Sequence, residues 1–105
     1  MSEDEISVDY VCDATQLTWV EDNLINELMT FLEDKIRDYG GIVEIDGKKI
    51  IIGFTSDEKL SKRAIKTYIK RFLYKYELLD RLRVISSGAN EYMIHKLKDV
   101  TVKNL

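Results

Sequence analysis

Apolar and polar side chains alternate from Ile6 to Asp13, with Val11 as the exception. Because successive side chains of a strand point to opposite faces, this alternation predicts a half-buried β-strand. Two β-branched runs, Ile42–Ile45 and Lys49–Phe54, flank the sequence Asp-Gly-Lys. An Asp-Gly pair between such runs is a strong local signal for a hairpin, so these runs predict two antiparallel strands.

Helical spacing replaces this alternation over residues 25–36, where apolar residues recur every three or four positions and polar side chains lie opposite. The pattern predicts an amphipathic helix that ends at Gly40-Gly41, since glycine adopts the positive φ that helix ends favour. Thr18–Glu21 has the spacing of a capping box for the start of this helix, and Asp22 or Asn23 is the alternative cap.

A second helix is predicted from about Asp57 or Ser61 to Tyr76, followed by two strands over residues 83–87 and 92–97. The resulting order, β-α-β-β-α-β-β, predicts an α+β fold with one mostly antiparallel sheet packed against two helices. We expect residues 1–105 to form a single domain, with loose tails over residues 1–5 and 99–105.

The composition excludes several classes of protein. No apolar run approaches the roughly 20 residues of a membrane span, and the acidic start differs from the basic start of a signal peptide. These features predict a protein of the cytosol or nucleus with no membrane partner. Cys12 is the only cysteine, so no disulfide can form within the chain.

The net charge of −3 argues against a nucleic-acid partner until the chain is divided. Residues 1–46 contain 13 acidic and 2 basic residues, a balance of −11, whereas residues 47–105 contain 14 basic and 6 acidic residues, a balance of +8. Such asymmetry between halves is itself an indication of contact with nucleic acid or a membrane surface.

The second helix concentrates these positive charges. Winding it at about 100° per residue places Ile65, Ile69, Phe72 and Tyr76 on a core face. Five cations share the neighbouring face and form what we call the basic stripe: Lys59, Lys62, Arg63, Lys66 and Lys70. Tyr74 lies beside the stripe, Arg71 and Lys75 lie on the far shoulder, and Leu73 fits neither face.

Like charges at this spacing repel one another, and phosphate is a partner that would relieve the repulsion. The basic stripe therefore predicts RNA binding, with Tyr74 offering a ring or hydroxyl to ribose or base. A merely solubilising face, an acidic lipid or an acidic protein partner stays open from the residues alone. Arg81 and Arg83 extend the basic surface, unless Asp80 or Glu77 pairs with them.

No catalytic constellation is found. His95 is the only histidine, and with a single cysteine it cannot build a metal site, so neither a metal nor a cofactor nor a small-molecule substrate is expected. An enzyme is the weakest interpretation, since only Cys12 with His95 as its base could provide a nucleophile.

Three runs carry a resemblance to a known family: residues 61–76, residues 79–87 and Glu91-Tyr92. They resemble the eukaryote-type large-subunit ribosomal protein number twenty-two, whose helix reads Ser-Lys-Arg-x-Leu-Lys-x-Leu-x-Lys-Lys-Tyr-Leu. Phe31–Ile36 and Ser7–Cys12 resemble two earlier segments, so the resemblance covers about residues 6–98. The acidic start and the short loop at Gly40-Gly41 indicate a compact, divergent member.

The resemblance implies a structural constituent of the cytosolic large ribosomal subunit that contacts large-subunit rRNA and neighbouring ribosomal proteins, after passage through the nucleolus. The family's RNA-contacting positions carry over to Lys62, Arg63, Lys66 and Lys70, with Lys59, Arg71 and Lys75 as extensions. Two alternatives stay open: a regulatory paralogue that binds stem-loop RNA off the ribosome, and a protein–protein adaptor with a basic face. Exchanging Lys62 and Lys66 for Glu is expected to abolish RNA binding with little change in thermal stability.

Overall fold

The computed structural model describes residues 8–55 and 60–97. Its strands are β1 (Tyr10–Asp13), β2 (Gly41–Asp46), β3 (Lys49–Phe54), β4 (Leu82–Gly88) and β5 (Glu91–Lys96). Its helices are α1 (Thr15–Val20), α2 (Leu24–Ile36) and α3 (Lys62–Lys75), and a 3₁₀ turn, Arg37–Tyr39, follows α2. The predicted tails lie outside the described residues.

The five strands form one sheet in the order β2-β3-β1-β5-β4. The β2–β3 and β4–β5 hairpins pair antiparallel, and so do β1 and β3, whereas β1 pairs parallel with β5. The α+β class with a mostly antiparallel sheet is therefore confirmed. The order of elements is wrong in one respect, because the described residues contain a third helix, α1.

The helices build the core on one face of the sheet. α2 packs on β2, α3 packs on β4, and the two helices pack on each other. The strands send alternate residues into this layer, such as Cys12, Ile52 and Ile94, which are almost completely buried. Their neighbours, such as Glu44, Arg83 and His95, are exposed on the opposite face. None of the described helices is long and apolar enough to cross a membrane.

α1 explains why the predicted capping box is wrong. Thr18 lies inside α1, where its Oγ1 donates a hydrogen bond to the Thr15 carbonyl at 2.6 Å, and α2 begins after Asn23, the alternative cap. The end of α2 is close to the prediction, since Gly40 has a φ of 74° directly after the 3₁₀ turn. Gly41 already belongs to β2, and it packs so close to Ile36 that a Cβ there would collide with that side chain.

Candidate nucleic-acid interface

Two hydrogen bonds tie the start of α3 to the sheet, and a third caps the helix. Ser61 is the N-cap, and its Oγ accepts from the Ala64 N–H at 3.2 Å. Two tyrosines of the sheet bond to the backbone there: the Tyr10 hydroxyl of β1 donates to the Leu60 carbonyl, and the Tyr92 hydroxyl of β5 donates to the Lys62 carbonyl, each at 2.8 Å. Ser61, one of the two predicted starts, is thus where α3 begins. The direction of α3 across the sheet is fixed at this end.

Lys62 does not extend freely from this turn. Its Nζ donates to Ser86 Oγ at 2.8 Å and to the Gly88 carbonyl at 2.7 Å, and it lies 5.0 Å from the centroid of the Tyr92 ring. The half-buried side chain therefore bridges α3 and the end of β4. Leu73, which lies close to Lys62 around the helix, is completely buried. The buried face of α3 is therefore wider than the helical wheel predicts, and Lys62 lies at its edge.

The side chains of three cations of the basic stripe make no hydrogen bond or ion pair with any described residue: Arg63, Lys66 and Lys70. We call them the cation row. α3 contains no acidic residue, and the ion pair found within the described part of the chain, Arg37 with Asp34, lies elsewhere. Tyr74, 75% exposed, continues the row along the helix. The row is therefore a line of positive charge without a protein counter-charge.

The cation row lies on the flank of α3 that faces away from α2. Lys75, roughly 140° around the helix from Lys70, lies on the other flank, with its Nζ 5.7 Å from the Phe31 ring of α2. Since α3 packs on β4 and β4 is an edge strand, the row runs along the open edge of the sheet. A long partner can approach this edge without meeting α2.

The remaining predicted site residues are dispersed. Arg71 is exposed on the shoulder of α3, and Arg81 is exposed in the turn before β4. Arg83 pairs across the sheet with His95 and points to the face opposite α3, and its guanidinium donates to the Leu82 carbonyl. Lys59 lies outside the described residues. The structure thus groups the cation row with Tyr74 and leaves Arg83 apart from them.

Electrostatics connect Tyr92, which anchors the start of α3, with Arg63 of the cation row. Burial raises the pKa of Tyr92, and the negative charge that an ionised Tyr10 would carry raises it further, while nearby Arg63 lowers it. Tyr92 therefore stays a neutral hydrogen-bond donor at physiological pH, and Arg63 lies close enough to its hydroxyl to influence it. The cation row and its anchor form one connected unit.

The pair considered as a nucleophile and its base is not assembled. Cys12 is buried in the helix-side core, and burial together with the neighbouring Asp13 carboxylate raises the pKa of its thiol to about 12. His95 is exposed and lies on the opposite face of the sheet. Within the described residues no group of three or more His, Cys, Asp or Glu side chains is arranged to hold a metal ion.

Sequence reasoning missed the residues that hold the cation row in position. Tyr10 and Tyr92 read as ordinary members of alternating strands, and Ser86 as a polar position near a turn. Their partners at the start of α3 are 50, 30 and 24 residues away along the chain, so no local pattern reveals them. The available signal was chemical, because a phenol placed in a buried strand position usually finds a hydrogen-bond partner.

Comparison with known proteins identifies the family. The model of the Ribosomal L22e protein family matches residues 5–98. The chain belongs to the ribosomal L22e family. It is also similar to ribosomal protein eL22-like 1 of Xenopus tropicalis, with 35% identity over 81 residues, which cover 70% of this chain and 68% of the relative.

Membership of the L22e family confirms the resemblance seen in the sequence and makes this chain a ribosomal protein with a structural role in the large subunit. The family implies a non-catalytic component of a ribonucleoprotein, with rRNA and ribosomal proteins as its partners. Which of its residues meet RNA is a separate matter, and it depends on the geometry described above.

Proposed function

We propose that this L22e protein binds large-subunit rRNA through the cation row of α3, and that the row lies along the phosphates of a folded RNA helix. The observation that supports this proposal is the unpaired state of Arg63, Lys66 and Lys70, which follow one another along α3 without an acidic residue. Uncompensated like charges on a helix cost stability in the free protein, and phosphates remove that cost on binding.

The form of the surface suits double-stranded RNA. A straight helix of 14 residues spans about 21 Å, so cations placed every three or four residues can follow a phosphate strand. A-form RNA is recognised mainly through its phosphates and 2′-hydroxyls rather than its base edges. Tyr74 extends the row with an exposed phenol that can donate to ribose or stack on an unpaired base.

Salt dependence tests the proposal. Each phosphate neutralised by a cation contributes roughly 0.7–0.9 to the slope of log affinity against log salt concentration. The double variant Lys66→Gln/Lys70→Gln should therefore bind an rRNA fragment with a slope smaller by about 1.4–1.8. The matched control is Lys48→Gln/Lys49→Gln, which removes two exposed lysines at the start of β3 and the turn before it, and which should keep the wild-type slope.

Equal slopes for the two double variants would contradict the proposal. Co-sedimentation with large subunits separates ribosomal binding from the alternative of an RNA-binding paralogue that acts off the ribosome. We expect the protein to remain on large subunits at moderate salt, and the Lys66→Gln/Lys70→Gln variant to dissociate at a lower salt concentration. We also propose that the protein reaches cytoplasmic ribosomes after assembly in the nucleolus.

A further inference from the structure

The turn between β4 and β5 lies beside the first turn of α3, and unlike α3 it carries no charged side chain. We call residues 87–90 the β4–β5 turn. All four residues, Ser87, Gly88, Ala89 and Asn90, are exposed, and all are small and uncharged. The hydroxyl of Ser87 and the side-chain amide of Asn90 make no hydrogen bond with the described residues. The turn therefore offers polar groups, free of steric bulk, next to a line of cations.

Lys62 joins this turn to α3. Its Nζ donates to Ser86 Oγ and to the Gly88 carbonyl, and it lies 5.0 Å from the centroid of the Tyr92 ring. Two of the three donors of the ammonium group are thereby used within the protein. Lys62 is thus placed as a bridge between two elements, unlike Lys66, which makes no such contact.

The turn is held from its other side as well. The Asn90 carbonyl accepts from the Val11 N–H at 3.0 Å, so the central strand β1 fixes the end of the turn. The pairing of β4 with β5 shifts register between Ser86 and Gly88, which leaves Ser87 as the extra residue of a β-bulge. Bulges redirect side chains and are frequent beside functional sites. The turn is therefore constrained by contacts on both sides.

The free edge of β4 adds backbone groups to the same surface. The Leu97 N–H donates to the Arg81 carbonyl, and hydrogen bonding alternates along an antiparallel pair. It follows that Arg83 and Ile85 bond to β5, whereas the backbone groups of Val84 and Ser86 point to the open edge. N–H and hydroxyl donors next to cations suit the phosphate and 2′-hydroxyl oxygens of RNA.

We propose that the β4–β5 turn forms a second part of the RNA-binding surface and that Lys62 is a positioning residue that holds this turn beside the cation row. The inference rests on the proposed function, because it needs RNA bound along α3. This proposal changes the role that the sequence predicts for Lys62. Lys62 holds the β4–β5 turn in position, whereas Lys66 and Lys70 bind phosphate. The proposal also predicts that exchanging Lys62 for Glu costs stability, since a carboxylate would face the Gly88 carbonyl.

An isosteric pair of variants tests the turn. Asn90→Asp adds one negative charge to the β4–β5 turn, and Asn26→Asp makes the same change on the exposed face of α2. Affinity for a labelled rRNA fragment is measured for both, together with Lys66→Gln. We expect Asn90→Asp to weaken binding by about threefold or more, and Asn26→Asp to bind like the wild type.

Lys62→Met tests the positioning role, because methionine keeps an apolar stem over the Tyr92 ring and loses the charge and both hydrogen bonds. We expect faster amide hydrogen exchange in the β4–β5 turn, weaker RNA binding, and a salt slope that falls by less than in Lys66→Gln. Ser86→Ala gives a milder version that keeps the charge, and it should also speed exchange in the turn, so the test survives if Lys62→Met fails to fold.

The possible outcomes separate the two proposals. If Asn90→Asp binds like Asn26→Asp while Lys66→Gln binds more weakly, the inference about the turn is wrong and the proposed function stands. If Lys62→Met loses as much salt slope as Lys66→Gln and exchange in the turn is unchanged, Lys62 is a phosphate contact and its positioning role is wrong. If Lys66→Gln also binds like the wild type, the proposed function fails and the inference fails with it.

Discussion

The cation row makes an unusual prediction about stability: Lys66→Glu should stabilise the free protein while it weakens RNA binding. Lys66 stands four residues before Lys70 and three after Arg63, so it takes part in two unfavourable pairs on the surface of α3. Lys62 lies four residues before Lys66, but its ammonium group is hydrogen-bonded to Ser86 and Gly88 and therefore adds less to the repulsion at Lys66. A carboxylate at position 66 would convert both unfavourable pairs into favourable ones.

The magnitude follows from helix surface pairs. A like-charge pair costs, and an opposite pair gains, about 0.2–0.5 kcal/mol, so reversing one partner changes each pair by about 0.4–1 kcal/mol. Two pairs give an expected gain of about 1 kcal/mol, and Lys66→Gln should give about half of it. For a domain of this size, 1 kcal/mol corresponds to an increase of roughly 4 °C or more in Tm.

Urea unfolding followed by circular dichroism measures the effect at about 0.05 M and about 0.5 M salt, because surface charge pairs are screened over about 10 Å at 0.1 M and over shorter distances above it. We expect the order Lys66→Glu, Lys66→Gln, wild type in decreasing stability at low salt, with the differences shrinking at high salt. A destabilised Lys66→Glu variant, or a gain that is unchanged at high salt, would refute the reasoning that the row is an uncompensated line of charge.

Three further predictions concern the scaffold. Gly41→Ala should destabilise the fold by about 1–3 kcal/mol in urea, because a Cβ there collides with the buried Ile36 side chain, whereas Gly88→Ala meets only ordinary contacts with Glu91 and serves as the control. Stability should fall as pH rises above about 9, since the folded state holds the Cys12 and Tyr92 protons more tightly than the unfolded chain does; Tyr92→Phe should reduce the part of this fall above about 10, and an identical pH profile would contradict the assignment. Cys12, with its thiol pKa raised to about 12, should react with a thiol reagent at pH 8 only as fast as the protein opens, and rapid modification of the native protein would contradict its burial.

The sequence predicted most of the fold, because all five strands and two of the three described helices have strong local patterns. The Asp-Gly turn between β2 and β3 and the helical spacing within α2 and α3 needed no tertiary information. α1 was missed because its six residues include an exposed Trp19 and three β-branched residues, which give no amphipathic repeat. The parallel pairing of β1 with β5 was also beyond local patterns, since the partners lie about 80 residues apart.

The candidate site was predicted in composition but not in arrangement. A helical wheel correctly grouped Arg63, Lys66 and Lys70, since they depend only on the period of α3. It could not show that the Lys62 ammonium group donates hydrogen bonds to Ser86 and Gly88, nor that the Arg83 side chain points away from α3. Both depend on where β4 lies in the sheet and which of its side chains point to the helices.

Lysine labelling in native large subunits tests the central claim most directly. An amine-reactive reagent is applied to the free protein, to intact large subunits, and to subunits digested with ribonuclease, and the modification of Lys66 and Lys70 is measured by mass spectrometry. We predict that both lysines react readily in the free protein, are protected in the subunit, and recover their reactivity after digestion of the RNA. Equal labelling in the free protein and the intact subunit would contradict the account, as would protection that persists after the RNA is removed.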